Sequence, residues 1–410
     1  MLFFYDFSLF LYRTGIHIAA LWNTKAKLWV RGRQDFPVFS SHTRKIWMHC
    51  ASLGEFEQGR PVLQALKQQY PDHEIILSFY SPSGYEVRKN EPLAHQVIYL
   101  PADTRKNAER LIREMRPELV VWVKYEYWYH YLHTLKKNNI PVALIAAIFR
   151  PSQPFFGKTG NFWKRILRCF SLIAVQDETS VNLLHNIQIS ENVMVCGDTR
   201  FDRVVELLHN AKEIPVAAEF SKNHFTVVAG STWTEDENTL AVFAAKHPKL
   251  KLIIAPHEIN QTHLQQLKKI FPDSLLFSKT SQHELELAKV LIIDNIGMLS
   301  SLYRYGNLCY VGGGFNTSGI HNILEAAVYG KAIVIGPNYE KFAEARALIS
   351  SGGLLSGKDT AAVVGCLQTF LKDEESRKKA ETNNAAYTKE QAGATKKIMD
   401  QLERNLLLTR

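Results

Sequence analysis

Glu55 is the first carboxylate in the chain whose surroundings suggest chemistry. The apolar run Ile46-Trp47-Met48-His49-Cys50 precedes it, followed by Ala51-Ser52-Leu53-Gly54. This reads as a strand, a small-residue turn and the opening of a helix. In doubly wound sheets, ligands bind beyond the carboxyl ends of the strands. Glu55 there can act as a general base, provided burial or neighbours keep its pKa suitable. Acidic residues also favour helix N-termini through the macrodipole. The residues alone leave both roles open.

A second constellation is Tyr310-Val311-Gly312-Gly313-Gly314-Phe315, followed by Gly319-Ile320-His321-Asn322-Ile323-Leu324-Glu325. Glycines after a strand let backbone N–H groups approach an oxyanion closely. A helix is expected to begin near His321, where its N-terminus favours phosphate. Glu325 then falls near the first turn, placed to accept hydrogen bonds from a ribose diol. A third group comprises Ala229-Gly230-Ser231-Thr232-Trp233 and Ala255-Pro256-His257-Glu258, each closing a strand. Ser231 and Thr232 offer hydroxyl and backbone donors, and His257 a further donor or charge. The chain contains no GxGxxG, HExxH, Asp-x-Asp, Walker lysine or GxSxG pattern. No dinucleotide, no metal and no other cofactor is therefore expected.

The elements that must position these residues repeat in two series. Candidate strands are 46–50, 74–79, 96–100, 119–123, 142–146, 172–175 and 193–196, with helical patterns over 59–69 and 106–115 between them. A second series reads 225–229, 252–255, 274–277, 290–293, 308–311, 332–335 and 353–355, and the tail from Lys372 reads as closing helices. Near-continuous apolar strands alternating with helices indicate parallel sheets covered on both faces. The fold class is α/β: two Rossmann-like doubly wound domains with a ligand cleft between them. The expected boundaries are an anchor helix over 1–24, domains over 25–207 and 208–385, and a C-terminal helix over 386–410.

Of the 410 residues, 46% are hydrophobic and 22% charged, which fits neither disorder nor a polytopic membrane protein. The net charge of +9 suits an anionic partner. The five cysteines form no CxxC pair and read as buried thiols of a reducing compartment. The first 22 residues are rich in Phe, Leu and Ile but carry Asp6, Arg13 and His17. Lys25, Lys27, Arg31 and Arg33 follow, which suits an interfacial or barely spanning anchor beside anionic headgroups. A stretch from Phe155 through Lys158 to Phe162, Trp163, Lys164, Arg165 and Arg168 mixes aromatics with cations. It suits a lipid headgroup region, single-stranded nucleic acid or an ordinary buried aromatic face.

Taken in order, Ser52-Leu53-Gly54-Glu55, Leu100-Pro101-Ala102-Asp103, Glu126-Tyr127-Trp128, Gly197 to Asp202, Gly230-Ser231-Thr232, Gly312-Gly313-Gly314, His321 to Ala326 and Gly336-Pro337 with Phe342 resemble the motifs of the bacterial lipopolysaccharide Kdo transferases. These enzymes move 3-deoxy-D-manno-octulosonic acid (Kdo) from CMP-Kdo onto a lipid A precursor. The resemblance implies a GT-B fold, with the acceptor on the N-terminal domain and CMP-Kdo on the C-terminal one. It implies an inverting, metal-independent reaction with Glu55 as base and Glu126 as a second acid of the acceptor side. Ser52, Gly54, Ser231, Thr232, Pro256, His257, Gly297, Gly312, Gly313, Gly314, His321, Asn322 and Glu325 become substrate- or nucleotide-binding positions. Arg60 and Lys341 are candidates for the Kdo carboxylate.

The implied partners are CMP-Kdo, the lipid A precursor and the cytoplasmic leaflet of the inner membrane, with no nucleic acid. Several positions depart from the family. Lys124 stands where an acid is usual, His257 where an arginine is usual, Met298 follows Gly297 in place of an acid, and Gly314 replaces a serine. A nucleotide-sugar epimerase of the same fold, or an inactive membrane-bound scaffold, are the alternatives.

Overall fold

The computed structural model describes residues 1–40, 43–157 and 160–404, apart from the side chains of 282 and 283. It divides into two units, Met1–Arg203 with Ala392–Arg410, and Val204–Gln391. The first unit holds a sheet of β1 Lys45–Cys50, β2 Glu74–Phe79, β3 Gln96–Tyr99, β4 Leu119–Val123, β5 Val142–Ala147, β6 Leu172–Val175 and β7 Val193–Val195. Its strand order is β3-β2-β1-β4-β5-β6-β7, every pairing parallel. Successive residues face opposite sides of a strand. Thus Ile46, Met48 and Cys50 join one apolar cluster with Leu119, Val121 and Val123, while Trp47, Val120 and Trp122 join the other. Both faces are buried, which explains the unbroken apolar runs.

The second unit has β8 Thr226–Thr232, β9 Lys251–Pro256, β10 Leu275–Leu276, β11 Val290–Ile292, β12 Leu308–Val311, β13 Ile333–Ile335 and β14 Leu354–Ser356. These also pair in parallel, in the order β10-β11-β9-β8-β12-β13-β14. All strands fall where the sequence pattern puts them, within a few residues at their ends. In each sheet the chain first fills one side of its first strand and then crosses to the other, and in the second sheet β11 returns to lie between β9 and the edge strand β10. The switch points lie between β1 and β4, and between β8 and β12.

The C-terminal helix Ala394–Arg404 belongs to the first unit, with Ile398, Met399 and Leu402 in its core. Asp202 holds it there by accepting from the backbone N–H groups of Gly393 (2.5 Å) and Thr395 (2.6 Å) and from the Thr395 hydroxyl (2.6 Å).

Helix α1, Leu2–Ala19, buries none of its residues and exposes Phe3, Phe4, Phe7, Phe10, Leu11 and Ile18. Its other side is tied to the first unit. The Tyr5 hydroxyl donates to Asp103 (2.5 Å) and accepts from the Tyr129 backbone N–H (3.1 Å), and Asp6 meets His130 Nε2 at 2.6 Å. Among the described residues no helix is long and apolar enough to cross a membrane, so the spanning form of the anchor is not supported. Helix α2, Thr24–Arg31, follows, leaving Lys25, Lys27 and Arg31 exposed.

Arg33 departs from its expected headgroup role. It turns inward between Trp29, Tyr80 and Tyr99, donates to three backbone carbonyls, and burial lowers its pKa to about 10. In the aromatic–cationic stretch, Phe155 and Phe162 are buried against Tyr127 and Tyr129, as in an ordinary core. Lys158 lies outside the described residues.

Candidate active site

In the first unit, β1 ends at Cys50 and helix α3, Leu53–Gln69, begins with Ser52 as its N-cap. Glu55 is the third residue of the helix, and its Oε2 accepts from the backbone N–H groups of Ala51 (2.5 Å) and Ser52 (3.2 Å). Its Oε1 takes no protein donor among the described residues. The carboxyl therefore caps the helix with one oxygen only. Glu55 is only 9% exposed. Burial, then the nearby Glu126 carboxylate, raise its pKa from 4.5 to about 7, outweighing the two amides and Lys124. A carboxyl balanced near neutrality is suited to general-base work. Gly54 lies beside it in open space.

Glu126 lies in the loop after β4, the neighbour of β1 across the switch point. Trp122 Nε1 donates to its carbonyl at 2.5 Å. Its buried Oε2 has no hydrogen-bond partner among the described residues and faces His49 Nε2 at 3.8 Å. His49 is fully buried on β1, and burial lowers its pKa. Lys124, at φ +66°, makes the turn out of β4. Arg60 lies further along α3, with a buried Nε lacking a hydrogen-bond partner among the described residues.

In the second unit the residues gather at the carboxyl ends of β8, β9 and β12. The β8–β9 register shifts between Gly230 and Thr232, where Ser231 adopts φ +53°. Gly312 packs on this bulge so closely that a Cβ would stand 2.7 Å from the Thr232 Cα. Gly313 takes φ +87°, and its N–H donates to the buried Asp236 at 2.9 Å. Asp236 also accepts from Tyr310 (2.5 Å) and from the Trp233 backbone N–H (2.9 Å), binding the glycine turn to helix Thr234–Lys246.

The His257 N–H donates to Thr232 O at 2.9 Å, directly after Pro256. The His257 ring stacks on Trp233 and on His321. Gly314 packs against Gly336. Glu325 accepts from Asn322 at 3.1 Å, and burial, then Glu325, raise the pKa of Tyr303, whose hydroxyl approaches Gly230.

Some expectations change. The helix after the glycines begins at Leu324 and spans four residues, so His321 and Asn322 precede it. The Thr232 hydroxyl is fully buried and donates to Glu237 at 2.9 Å, so it serves the core. Gly297 sits in an exposed loop at φ +95°, two residues before Leu299, which packs on Gly230. Lys341 is exposed, with Nζ 3.5 Å from Thr317 O. Asp236 and Trp233 were not singled out for any role, since an acid at a helix start and an aromatic after a strand are commonplace. Only their contacts with the glycine turn distinguish them.

Residues 26–203 match the family model described as 3-deoxy-D-manno-octulosonic-acid transferase (kdotransferase). A 3-deoxy-D-manno-octulosonic acid transferase of Haemophilus influenzae is 28% identical over 383 residues, covering 88% of each chain. The enzyme of that description from Aquifex aeolicus is 28% identical over 313 residues, 75% of this chain and 80% of that one. In fold, the chain is similar to the UDP-GlcNAc 2-epimerase of Neisseria meningitidis, with a TM-score of 0.61 at 16% identity, covering 88% of this chain and 100% of that one. At that identity the likeness speaks for the two-domain GT-B fold alone. Residues 26–203 thus carry the likeness to the Kdo transferase family model, and along both units the chain is similar to 3-deoxy-D-manno-octulosonic acid transferases.

Proposed function

We propose that the chain transfers Kdo from CMP-Kdo to a lipid A precursor with inversion, using Glu55 as the general base. The observation that carries this reading is the Glu55 carboxyl. It sits at the switch point of the first sheet, with one oxygen anchored by two amides, the other without a protein donor, and a pKa of about 7. Glu55 takes the proton from an acceptor hydroxyl as that oxygen attacks the anomeric carbon of Kdo, and the bond to the CMP phosphate breaks. The electron pair leaves with the phosphate, which the second unit holds at the Ser231 bulge beside the Gly312–Gly313 turn, where the missing Cβ atoms leave room for it. Asn322 and Glu325 take the ribose, and Glu126 orients the acceptor beside Glu55.

The exposed aromatic face of α1, with Lys25, Lys27 and Arg31 after it, supports an in-plane position at the cytoplasmic leaflet, where a lipid acceptor resides. The test is mass spectrometry of a lipid A precursor incubated with the purified chain and CMP-Kdo. Product heavier by one or more Kdo residues is expected. CMP-Kdo left unused, or a changed sugar nucleotide with untouched lipid, contradicts the reading, and the second result favours an epimerase.

A further inference from the structure

His321 is held against the glycine turn. Its backbone N–H donates to Gly312 O at 3.1 Å, and a Cβ at Gly313 would lie 2.8 Å from its ring. The His257 ring packs on it with centroids 4.5 Å apart and planes 27° apart, and Trp233 stacks on His257 at 4.7 Å and 24°. Trp233 Nε1 lies 3.1 Å from His321 Nε2. An indole nitrogen can only donate, so His321 Nε2 must accept and carry no proton. The ring proton is therefore on Nδ1, where no protein group among the described residues accepts it. Burial and the adjacent His257 lower the His321 pKa to about 4, so the ring is neutral at ordinary pH.

We propose that Trp233 is a positioning residue that locks His321 as a neutral Nδ1–H donor for a phosphate oxygen of the sugar nucleotide. Gly313 packs on the Cδ2–Nε2 edge of that ring, and its lack of a Cβ lets the ring seat against the turn. The Trp233 ring stacks on His257, and its one side-chain hydrogen bond among the described residues goes to His321. The proposal rests on the reading that the second unit holds the nucleotide.

The test combines ¹⁵N-histidine spectra of the full chain with CMP titration, for wild type, Trp233→Phe, His321→Asn and the double variant. Phe keeps the ring and loses the N–H. Asn supplies an amide N–H near the place of Nδ1–H without needing a tautomer. Wild type should show His321 protonated on Nδ1 alone, and Trp233→Phe a mixture of tautomers with the Kd for CMP raised by the inverse of the Nδ1–H fraction, about fivefold where that fraction is about a fifth. His321→Asn should bind CMP within about threefold of wild type, and adding Trp233→Phe should then change nothing. A wild-type proton on Nε2, or an unchanged Kd in Trp233→Phe while wild type binds CMP, overturns the proposal alone. A wild-type chain that does not bind CMP overturns the nucleotide reading, and this inference with it.

Discussion

Glu126 Oε2 and His49 Nε2 face each other at 3.8 Å, both buried and neither with a hydrogen-bond partner among the described residues. His49 Nδ1 is occupied at 2.9 Å by Ser78 Oγ, which accepts from Trp47 Nε1 at 2.7 Å, so the imidazole is fixed from behind. A carboxylate without a donor keeps its full capacity to accept a ligand hydroxyl. The same negative charge raises the pKa of Glu55.

Replacing Glu126 by Gln should therefore lower the Glu55 pKa. The acid limb of kcat/KM, which a Glu55 pKa of about 7 should put near neutrality in the wild type, should move to lower pH in the residual activity. A pH–rate profile measures this directly. A limb that stays in place would show that Glu126 does not act on Glu55 electrostatically.

The raised pKa also fixes the sign of a stability effect. The folded state binds the Glu55 proton more tightly than the unfolded chain does, so its contribution is fully present below pH 4.5 and lost as pH rises through about 7. Glu55→Gln keeps an oxygen for the Ala51 and Ser52 amides and never ionises. Urea denaturation should show the variant more stable than wild type by up to about 3 kcal/mol at pH 9 and indistinguishable from it at pH 4. A variant less stable at both pH values would mean the carboxylate's capping role dominates.

Asp202 gathers three donors from Gly393 and Thr395. Asp202→Ala should destabilise the first unit by about 2–3 kcal/mol and release helix Ala394–Arg404 to hydrogen exchange. Unchanged protection of that helix would show that Ile398, Met399 and Leu402 hold it unaided.

Phe3, Phe7 and Phe10 are all exposed on α1. Converting the three to Ser should weaken partitioning onto anionic vesicles by roughly a hundredfold, from the apolar area removed. Thermal stability should not change, because none of the three is part of the core. Equal partitioning of the two forms would remove α1 as the membrane contact.

Strand positions were legible because parallel strands buried on both faces must be apolar throughout, and Leu119–Val123 or Leu308–Val311 permit little else. Glu55 was legible from its place after such a strand. What escaped were relationships made by distant segments. Asp236 resembles any helix-start acid until Gly313, far along the chain, donates to it. The Thr232 hydroxyl resembles a ligand donor until Glu237 takes it. Arg33 resembles a headgroup cation until Trp29, Tyr80 and Tyr99 enclose it.

Single-turnover transfer by Glu55→Gln, with CMP affinity measured on the same preparation, addresses the assignment of the base most directly. The expected result is a loss of transfer of about a thousandfold, as for removal of a general base, with CMP binding unchanged. Near-normal turnover by a correctly folded variant would contradict it.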